Sequence, residues 1–292
     1  MSGAPTAVPR DSPRSKFAGG DQAYLRERQY VDGTKLDHRA NLHKKYRTAE
    51  VSFFDWIVPH LGLAAGARIL EAGCGTGRLW TEAGAPMPAD IVLTLTDLSP
   101  GMVAEATQRV TASGRFAMVT GRVADLQQLP FADCEFDIVV ADHMLYHLPQ
   151  PALGVAELAR VLRPNGRVVA STNGSRHMRE IWQIRAEVFG TPTINNTVDV
   201  FGAETGFPYL RDAFESVHWF QANDELRCTD PADVLAYICS MPPGEDATIA
   251  ETDHLRRAID GRFAAGGGVM TITKDAGCFV CEQPFTQRSR SA

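Results

Sequence analysis

At 292 residues, 44% of them hydrophobic and 22% charged, the chain has the bulk of a globular protein, one large domain or a domain carrying a subdomain. A formal net charge of -6, with no basic stripe, argues against a nucleic-acid partner, because phosphate binding wants clustered Lys and Arg. No apolar run approaches the roughly 20 residues that span a bilayer, so no membrane partner is expected. The first 20 residues carry Pro5, Pro9, Pro13, Arg10, Arg14 and Lys16 without an apolar stretch. They read as a disordered tail and not as a secretory signal. Six scattered cysteines make no disulfide framework, which points to a reducing, cytoplasmic setting.

From Ala23 to Leu61 the pattern is helical. The charged segment Asp37–Arg39 leads into Asn41–Tyr46, and the apolar residues of Val51–Val58 are spaced for a helix packed on something larger. Pro59 and Gly62 predict its end. Strands and helices then alternate: a strand over Ala67–Glu71 running into a glycine turn, a helix over Arg78–Ala83, and a buried strand over Ile91–Thr96. Ser99 is placed to cap the next helix, through Thr111, with Pro100 at its first position, where the missing N–H costs nothing. Further strands are expected over Phe116–Val123, Phe136–Ala141 and Arg167–Thr172, the last preceded by a helix over Pro151–Leu162. Such spacing specifies a mostly parallel sheet covered on both faces. Beyond Thr172 the rhythm changes. A helix over Arg176–Phe189 and a strand over Phe214–Ala222 are followed by two helices within residues 230–264, broken at Met241-Pro-Pro-Gly. Val269–Thr273 and Cys278–Glu282 read as a closing hairpin.

The loop Glu71-Ala-Gly73-Cys74-Gly75-Thr-Gly77 sits between the first strand and its helix, and its glycines let the backbone turn sharply and approach a ligand. Asp97, 20 residues beyond Gly77, ends the next strand, where a carboxylate can accept from both ribose hydroxyls of an adenosine. A phosphate-cradling loop would end Gly-Lys-Ser/Thr, and a dinucleotide loop would read G-x-G-x-x-G; neither is present. Glu71 would repel a pyrophosphate but could hold an ammonium group. S-adenosylmethionine, with an amino group, a sulfonium and no phosphate, suits it.

Here the chain resembles the class I S-adenosylmethionine-dependent methyltransferases, specifically the menaquinone- and ubiquinone-pathway group. The resemblance runs from Arg68 to Ser171. Ile69–Gly77, Leu95–Met102 and Val123–Leu126 followed by Leu129-Pro-Phe match its first three motifs, and Phe136–Leu148 and Leu162–Arg167 its last two. It implies an α/β fold, a Rossmann-like seven-stranded sheet with one antiparallel strand. It implies S-adenosylmethionine as cofactor, met by Glu71, Gly73, Cys74, Gly75, Gly77, Asp97, Leu98, Met102, Asp125, Leu126, Ala141 and Asp142. Asp125 stands where the family's acid meets the adenine amino group.

Acceptor-facing residues must come from strand ends near the sulfonium. Methyl transfer asks mainly for positioning and removal of an acceptor proton. His143 and His147, four apart beside Tyr146, read as cofactor or structural contacts, as a base, or as a metal pair completed by Asp142 or Glu180. Glu180 is the other candidate base. Arg176, His177 and Arg179 could clamp a carboxylate or diphosphate, or form a solvated first turn of helix. Tyr146, Trp182, Trp219 and Phe220 offer aromatic faces to a cationic intermediate, or are core. Cys278 and Cys281, three apart on a strand, face opposite ways and read as core and not as zinc ligands.

The expected organisation is a tail over 1–20, an N-terminal helical lid over 21–62, a cofactor-binding core over 63–175, and over 176–292 the remaining strands with an insertion covering the acceptor. The catalytic set is Glu180, His147 and Tyr146; the acceptor set is His143, Arg176, His177, Arg179, Trp182 and Trp219, with no metal site. The expected acceptor is a small anionic metabolite methylated on carbon, a prenyl diphosphate or a 2-oxo acid, with Mg²⁺ involved only for a diphosphate. The alternatives are O- or N-methylation of a neutral natural product, or cofactor binding without catalysis. The sequence leaves the oligomeric state open, a homo-oligomer included.

Overall fold

Five apolar strand runs, each followed by a helical segment, leave the chain little choice but a parallel sheet, because only a crossover returns it to start the next strand in the same direction. The computed structural model describes residue 18 and residues 20–285, so the expected tail falls almost wholly outside the described residues. The N-terminal part holds α1 (Gln22–Tyr24), which continues as a π-helical turn over Leu25–Gln29, then α2 (Thr34–Tyr46) and α3 (Phe53–Leu61). Next come β1 (Arg68–Ala72), α4 (Arg78–Glu82), β2 (Val92–Asp97), α5 (Pro100–Ala112), β3 (Met118–Val123), β4 (Phe136–Asp142), α6 (Pro151–Val161) and β5 (Leu162–Asn173). The remainder is α7 (Arg179–Phe189), α8 (Thr197–Phe201), α9 (Gly206–Arg211), β6 (Phe214–Ala222), β7 (Glu225–Cys228), α10 (Pro231–Cys239), α11 (Ile249–Ala265), β8 (Met270–Thr273) and β9 (Ala276–Pro284).

Seven strands form one sheet in the order β3-β2-β1-β4-β5-β9-β6, and β9 runs antiparallel to both of its neighbours. The order reverses between β1 and β4, which opens a crevice beyond their carboxyl ends. One face is closed by α3, α4 and α5 around Ile57, Trp80 and Val110, and the other by α6 and α9 around Val155, Leu158 and Leu210. Local signals place the helices. The Ser52 and Ser99 hydroxyls accept the backbone N–H groups of Asp55 and Met102, and Gly62 closes α3 in the left-handed region. Cys278 lies in the first of these cores and Cys281 in the second, on opposite faces of β9.

The helical pattern over Ala23–Leu61 is divided among separate helices, interrupted around Asp32–Gly33, and again where Thr48 and Ala49 donate their N–H groups to Asp224 Oδ1 at 3.0 Å. One expectation needs correction: the closing hairpin does not form. Val280 and its neighbours in β9 are buried in an unbroken run, as an interior strand requires, so β9 inserts between β5 and β6. β8 alternates buried and open positions and pairs instead with β7 in a separate two-stranded sheet. That small sheet belongs to a third core. Leu226, Ile238, Ile259 and Ile272 from the stretch between β6 and β9 pack there with Leu42 of α2 and Trp182 of α7. This layer lies over the strand ends. No helix among the described residues is long and apolar enough to cross a membrane.

Candidate active site

The glycine loop between β1 and α4 carries three left-handed glycines, Gly73 (φ 73°), Gly75 (φ 50°) and Gly77 (φ 74°), each for its own reason. A Cβ on Gly73 would stand 2.8 Å from Met144, and one on Gly77 would stand 2.8 Å from Val110 of α5, so both are packing glycines. A Cβ on Gly75 would meet only Leu36, at 3.4 Å; its open face lines a cavity of about 420 Å³ beyond the strand ends. The loop is pinned to β2. Thr96 carbonyl accepts the N–H groups of Gly73 and Cys74 at 2.7 and 2.8 Å, and Asp97 Oδ2 accepts that of Gly75 at 3.1 Å.

Four carboxylates line this end of the cavity, one from each of four strand exits: Glu71, Asp97, Asp125 and Asp142. Glu71 is buried and accepts the Trp80 indole N–H at 2.6 Å. Burial, with Asp142 and Asp97 nearby, pushes its carboxyl well above the ordinary range, which favours the neutral acid while no cation is present. Asp97 is raised by burial too, against backbone N–H bonds from Ser99 and Gly75 that favour its charge. Asp125 Oδ1 caps the turn at Leu126 by accepting Gln127 N–H at 2.9 Å, while Gln22 of α1 donates to Oδ2 at 2.9 Å. Asp142 accepts the Ser171 hydroxyl.

The N-terminal segment covers this end. Tyr24 and Lys35 both bond Glu245 of the inserted layer, and Gln29 Nε2 reaches the Ser240 carbonyl at 3.3 Å. Beyond the carboxylates the lining turns aromatic and basic. Tyr30 Oη lies 2.9 Å from His147 Nε2, and Tyr146 packs on the His147 ring with centroids 4.6 Å apart. His143, left-handed at φ 51°, sets its ring 5.2 Å from Phe53, and burial holds its pKa below the usual imidazole value. Deeper still, the rings of His43 and His177 stack with centroids 6.1 Å apart, and Lys274 Nζ lies 3.4 Å from His43 Nδ1. Burial first, and Lys274 second, hold both of these histidines well below the usual value.

Most of the residues singled out from the sequence meet here. Glu71, Gly73, Cys74, Gly75, Asp97, Leu98, Met102, Asp125, Leu126 and Asp142 line the cavity, as do His143, Tyr146, His147, His177 and Trp182. Six do not. Gly77 packs on α5, and Ala141 is sealed inside the sheet. Glu180, offered as a base, turns to β8. Its two oxygens accept the backbone N–H and the hydroxyl of Thr273, both at 2.8 Å, and Arg179 at 2.9 Å. Burial would raise its pKa, but these bonds leave it lowered, the wrong direction for a base. Arg176 and Arg179 have side chains 72% and 55% exposed and pair with Asp275 and Glu180, so neither clamps anything in the cavity. Trp219 packs on Phe279 and bonds Gln221 away from the site.

The sequence reading passed over Tyr30, Arg39, His43, Tyr237 and Lys274, which also line the cavity. Arg39 and His43 stand one helical turn apart on α2, a spacing that could have flagged them as one face. Nothing local to Lys274 marks it.

Residues 70–170 match the family described as a methyltransferase domain. The chain is 29% identical over 178 residues to the ubiquinone/menaquinone biosynthesis C-methyltransferase UbiE of Geotalea daltonii, spanning 59% of this chain and 72% of that one. It is 27% identical to a malonyl-[acyl-carrier protein] O-methyltransferase of Serratia marcescens, spanning 76% of this chain and 78% of that one. These similarities support a class I S-adenosylmethionine-dependent methyltransferase, with the methyltransferase domain matched over residues 70–170. Among solved structures, the [4+2]-cyclase SpnF shares the methyltransferase fold with a TM-score of 0.57 at 16% identity, over 91% of this chain and 98% of that one. A shared fold at that distance leaves the reaction to be argued from the site.

The residues present suit the methyltransferase cofactor. Gly75 offers a face without a side chain, and Thr76 Oγ1 is buried with no hydrogen-bond partner among the described residues. A carboxylate-rich lining also favours a cationic ligand over a pyrophosphate. Asp97 could take the ribose hydroxyls, Asp125 the adenine amino group, and Glu71 the ammonium of the amino-acid tail.

Proposed function

We propose that the protein transfers the methyl group of S-adenosylmethionine to a small molecule enclosed beneath the inserted layer, with His147 taking the acceptor's proton. The observation that carries this reading is the continuity of one cavity, from the carboxylates of the strand exits to the histidine-lined chamber under α2 and α7. When bound, the cofactor supplies an activated methyl group on a sulfonium, so the protein's work is to align the acceptor and accept a proton. His147 is supported as that base by its place in the lining and by Tyr30, which holds its Nε2 at 2.9 Å. Tyr146 supplies the flat wall beside it.

An anionic acceptor, expected from the sequence, keeps the basic inner lining in its favour. The prenyl diphosphate form loses its support, because Arg176 and Arg179 face solvent. Carbon and oxygen acceptors would use the same base, so the atom methylated is read from the product.

Purified protein should bind S-adenosylhomocysteine by titration calorimetry and pass an isotope-labelled methyl group to a component of a metabolite extract. His147→Asn should lower turnover by about a hundredfold while leaving the affinity for S-adenosylhomocysteine unchanged. No affinity for either form of the cofactor would overturn the proposal. Binding without any transfer would leave a cofactor-binding protein that is not an enzyme.

A further inference from the structure

The hydrogen bond that holds the proposed base also covers its working atom. His147 closes the short turn Leu145–His147 beyond β4, and Tyr30 comes from the N-terminal segment, ahead of α2. Tyr30 Oη and His147 Nε2 stand 2.9 Å apart, and both side chains line the cavity. This is the hydroxyl's one hydrogen bond among the described residues. Burial raises the Tyr30 pKa, Arg39 lowers it and Asp97 adds to the rise; the net increase keeps the phenol protonated. A buried O–H needs an acceptor, and the Nε2 lone pair meets it. An imidazole nitrogen has a single lone pair, in the plane of its ring. With that pair engaged by Tyr30, an acceptor molecule cannot hand its proton to Nε2 directly. The phenol oxygen, which donates through its hydrogen, keeps lone pairs of its own.

The surroundings of Tyr30 suit an oxygen that gives up and receives a proton. The guanidinium carbon of Arg39 lies 5.6 Å from the centre of the Tyr30 ring, where its charge favours the negative charge that develops as the phenol's proton leaves. Arg39 Nη1 and Gln29 Nε2 both donate to the Ser240 carbonyl, at 3.2 and 3.3 Å, so the residue before Tyr30 and the cation over its ring are fixed to the inserted layer together. Asp97 is near enough for its charge to act on the phenol, so Tyr30 stands at the junction of the cofactor end and the base.

We propose that Tyr30 is a catalytic residue, the group that touches the acceptor's proton, and that His147 acts through it. As the acceptor's electron pair forms the new bond to the methyl carbon, the pair of the broken carbon–sulfur bond stays on sulfur. The acceptor's proton moves to Tyr30 Oη, and the phenol's own proton moves to His147 Nε2, which leaves a neutral phenol and an imidazolium. This inference deepens the methyl-transfer reading and rests on it for the reaction and for His147 as the final proton site.

The test has two arms, both on the whole chain. In the first, the protein carries ¹⁵N-labelled histidine and is saturated with S-adenosylhomocysteine in mildly alkaline buffer. The His147 Nε2 resonance should be that of an unprotonated nitrogen accepting a hydrogen bond, and Tyr30→Phe, which removes only the hydroxyl, should abolish the shift due to that bond. A proton on Nε2, or a resonance indifferent to Tyr30→Phe, overturns the relay. In the second arm, S-adenosylmethionine labelled in its methyl group is supplied with a metabolite extract, and the rate of label transfer is measured. Tyr30→Phe should slow transfer by about a hundredfold, as His147→Asn does, without changing the affinity for S-adenosylhomocysteine. The doubly altered protein should be no slower than either single variant, because two groups that move one proton in sequence fail as a unit. Transfer by Tyr30→Phe within a few-fold of the unaltered rate, or losses that multiply in the double variant, would also overturn the relay. Absence of transfer by the unaltered protein would overturn the methyl-transfer reading and the relay with it, whereas transfer that ignores Tyr30 overturns the relay alone.

Discussion

The cofactor end of the cavity draws Glu71, Asp97, Asp125 and Asp142 from four successive strand exits, whereas the inner end draws His43 and Lys274 from segments 231 residues apart. The first set is acidic and supported by backbone N–H groups; the second is basic and supported by an inserted layer with a core of its own. Parallel strands deliver their carboxyl ends to one edge whatever lies between them, so a site built on those ends needs only the alternation of strand and helix. A site built from a roof needs the roof to pack first. The same contrast runs through the electrostatics: four carboxylates line one end of the cavity, a lysine and two histidines the other.

Breaking the acidic end should have the largest effect. Asp97→Ala removes the anchor of Gly75 N–H along with the proposed ribose contact, and should weaken S-adenosylhomocysteine by about a hundredfold or more in calorimetry. An unchanged affinity would detach the carboxylates from cofactor binding.

Glu71 sharpens the comparison through pH. Its folded pKa is raised by burial, so its contribution to stability is fully present below the ordinary unfolded carboxylate value and is lost as the pH rises through the folded one. Glu71→Gln should therefore melt higher than the unaltered protein at neutral and alkaline pH, with the two converging in acid. Binding of a cationic tail should draw the proton off Glu71. The affinity for S-adenosylhomocysteine should then rise with pH in the unaltered protein, and be about tenfold lower and flatter in Glu71→Gln. Melting curves and calorimetry in buffers of different ionisation enthalpy would show both; a flat profile in the unaltered protein would contradict the argument.

The smallest effect is expected at Glu180, one of the residues the sequence offered as a base. Glu180→Gln keeps the carbonyl that accepts from Thr273 but loses the charge that strengthens the bond. It should cost about 1 kcal/mol of stability by denaturant unfolding and leave cofactor affinity intact. Loss of cofactor binding in that variant would mean that the wall between α7 and the cavity is not where the structure places it.

Glu180 also shows why part of the site escaped the sequence. A helix following a strand exit brings its first turn near the crevice, which made Arg176, Arg179 and Glu180 plausible together. Which side of that turn meets the cavity depends on β8, and β8 was assigned to a hairpin with β9. Once β8 pairs with β7, Thr273 presents its N–H and hydroxyl to Glu180, Arg179 follows its acid outward, and His177 and Trp182 are left facing in. His43 and Lys274 were hidden for a related reason: neither lies near a recognisable turn, and only the packing of α2 against the inserted layer brings them within 3.4 Å.

The sequence by itself determined the sheet, its covering helices, the three-glycine turn and the acid at each strand exit, because these follow from periodicity, capping and backbone freedom acting over a few residues. The tertiary structure alone decided that β9 enters the sheet while β8 leaves it, that the arginines beyond β5 face water, and that His43, His177 and Lys274 share one wall. Those outcomes depend on which apolar faces find partners across long stretches of chain, and no local pattern carries that information.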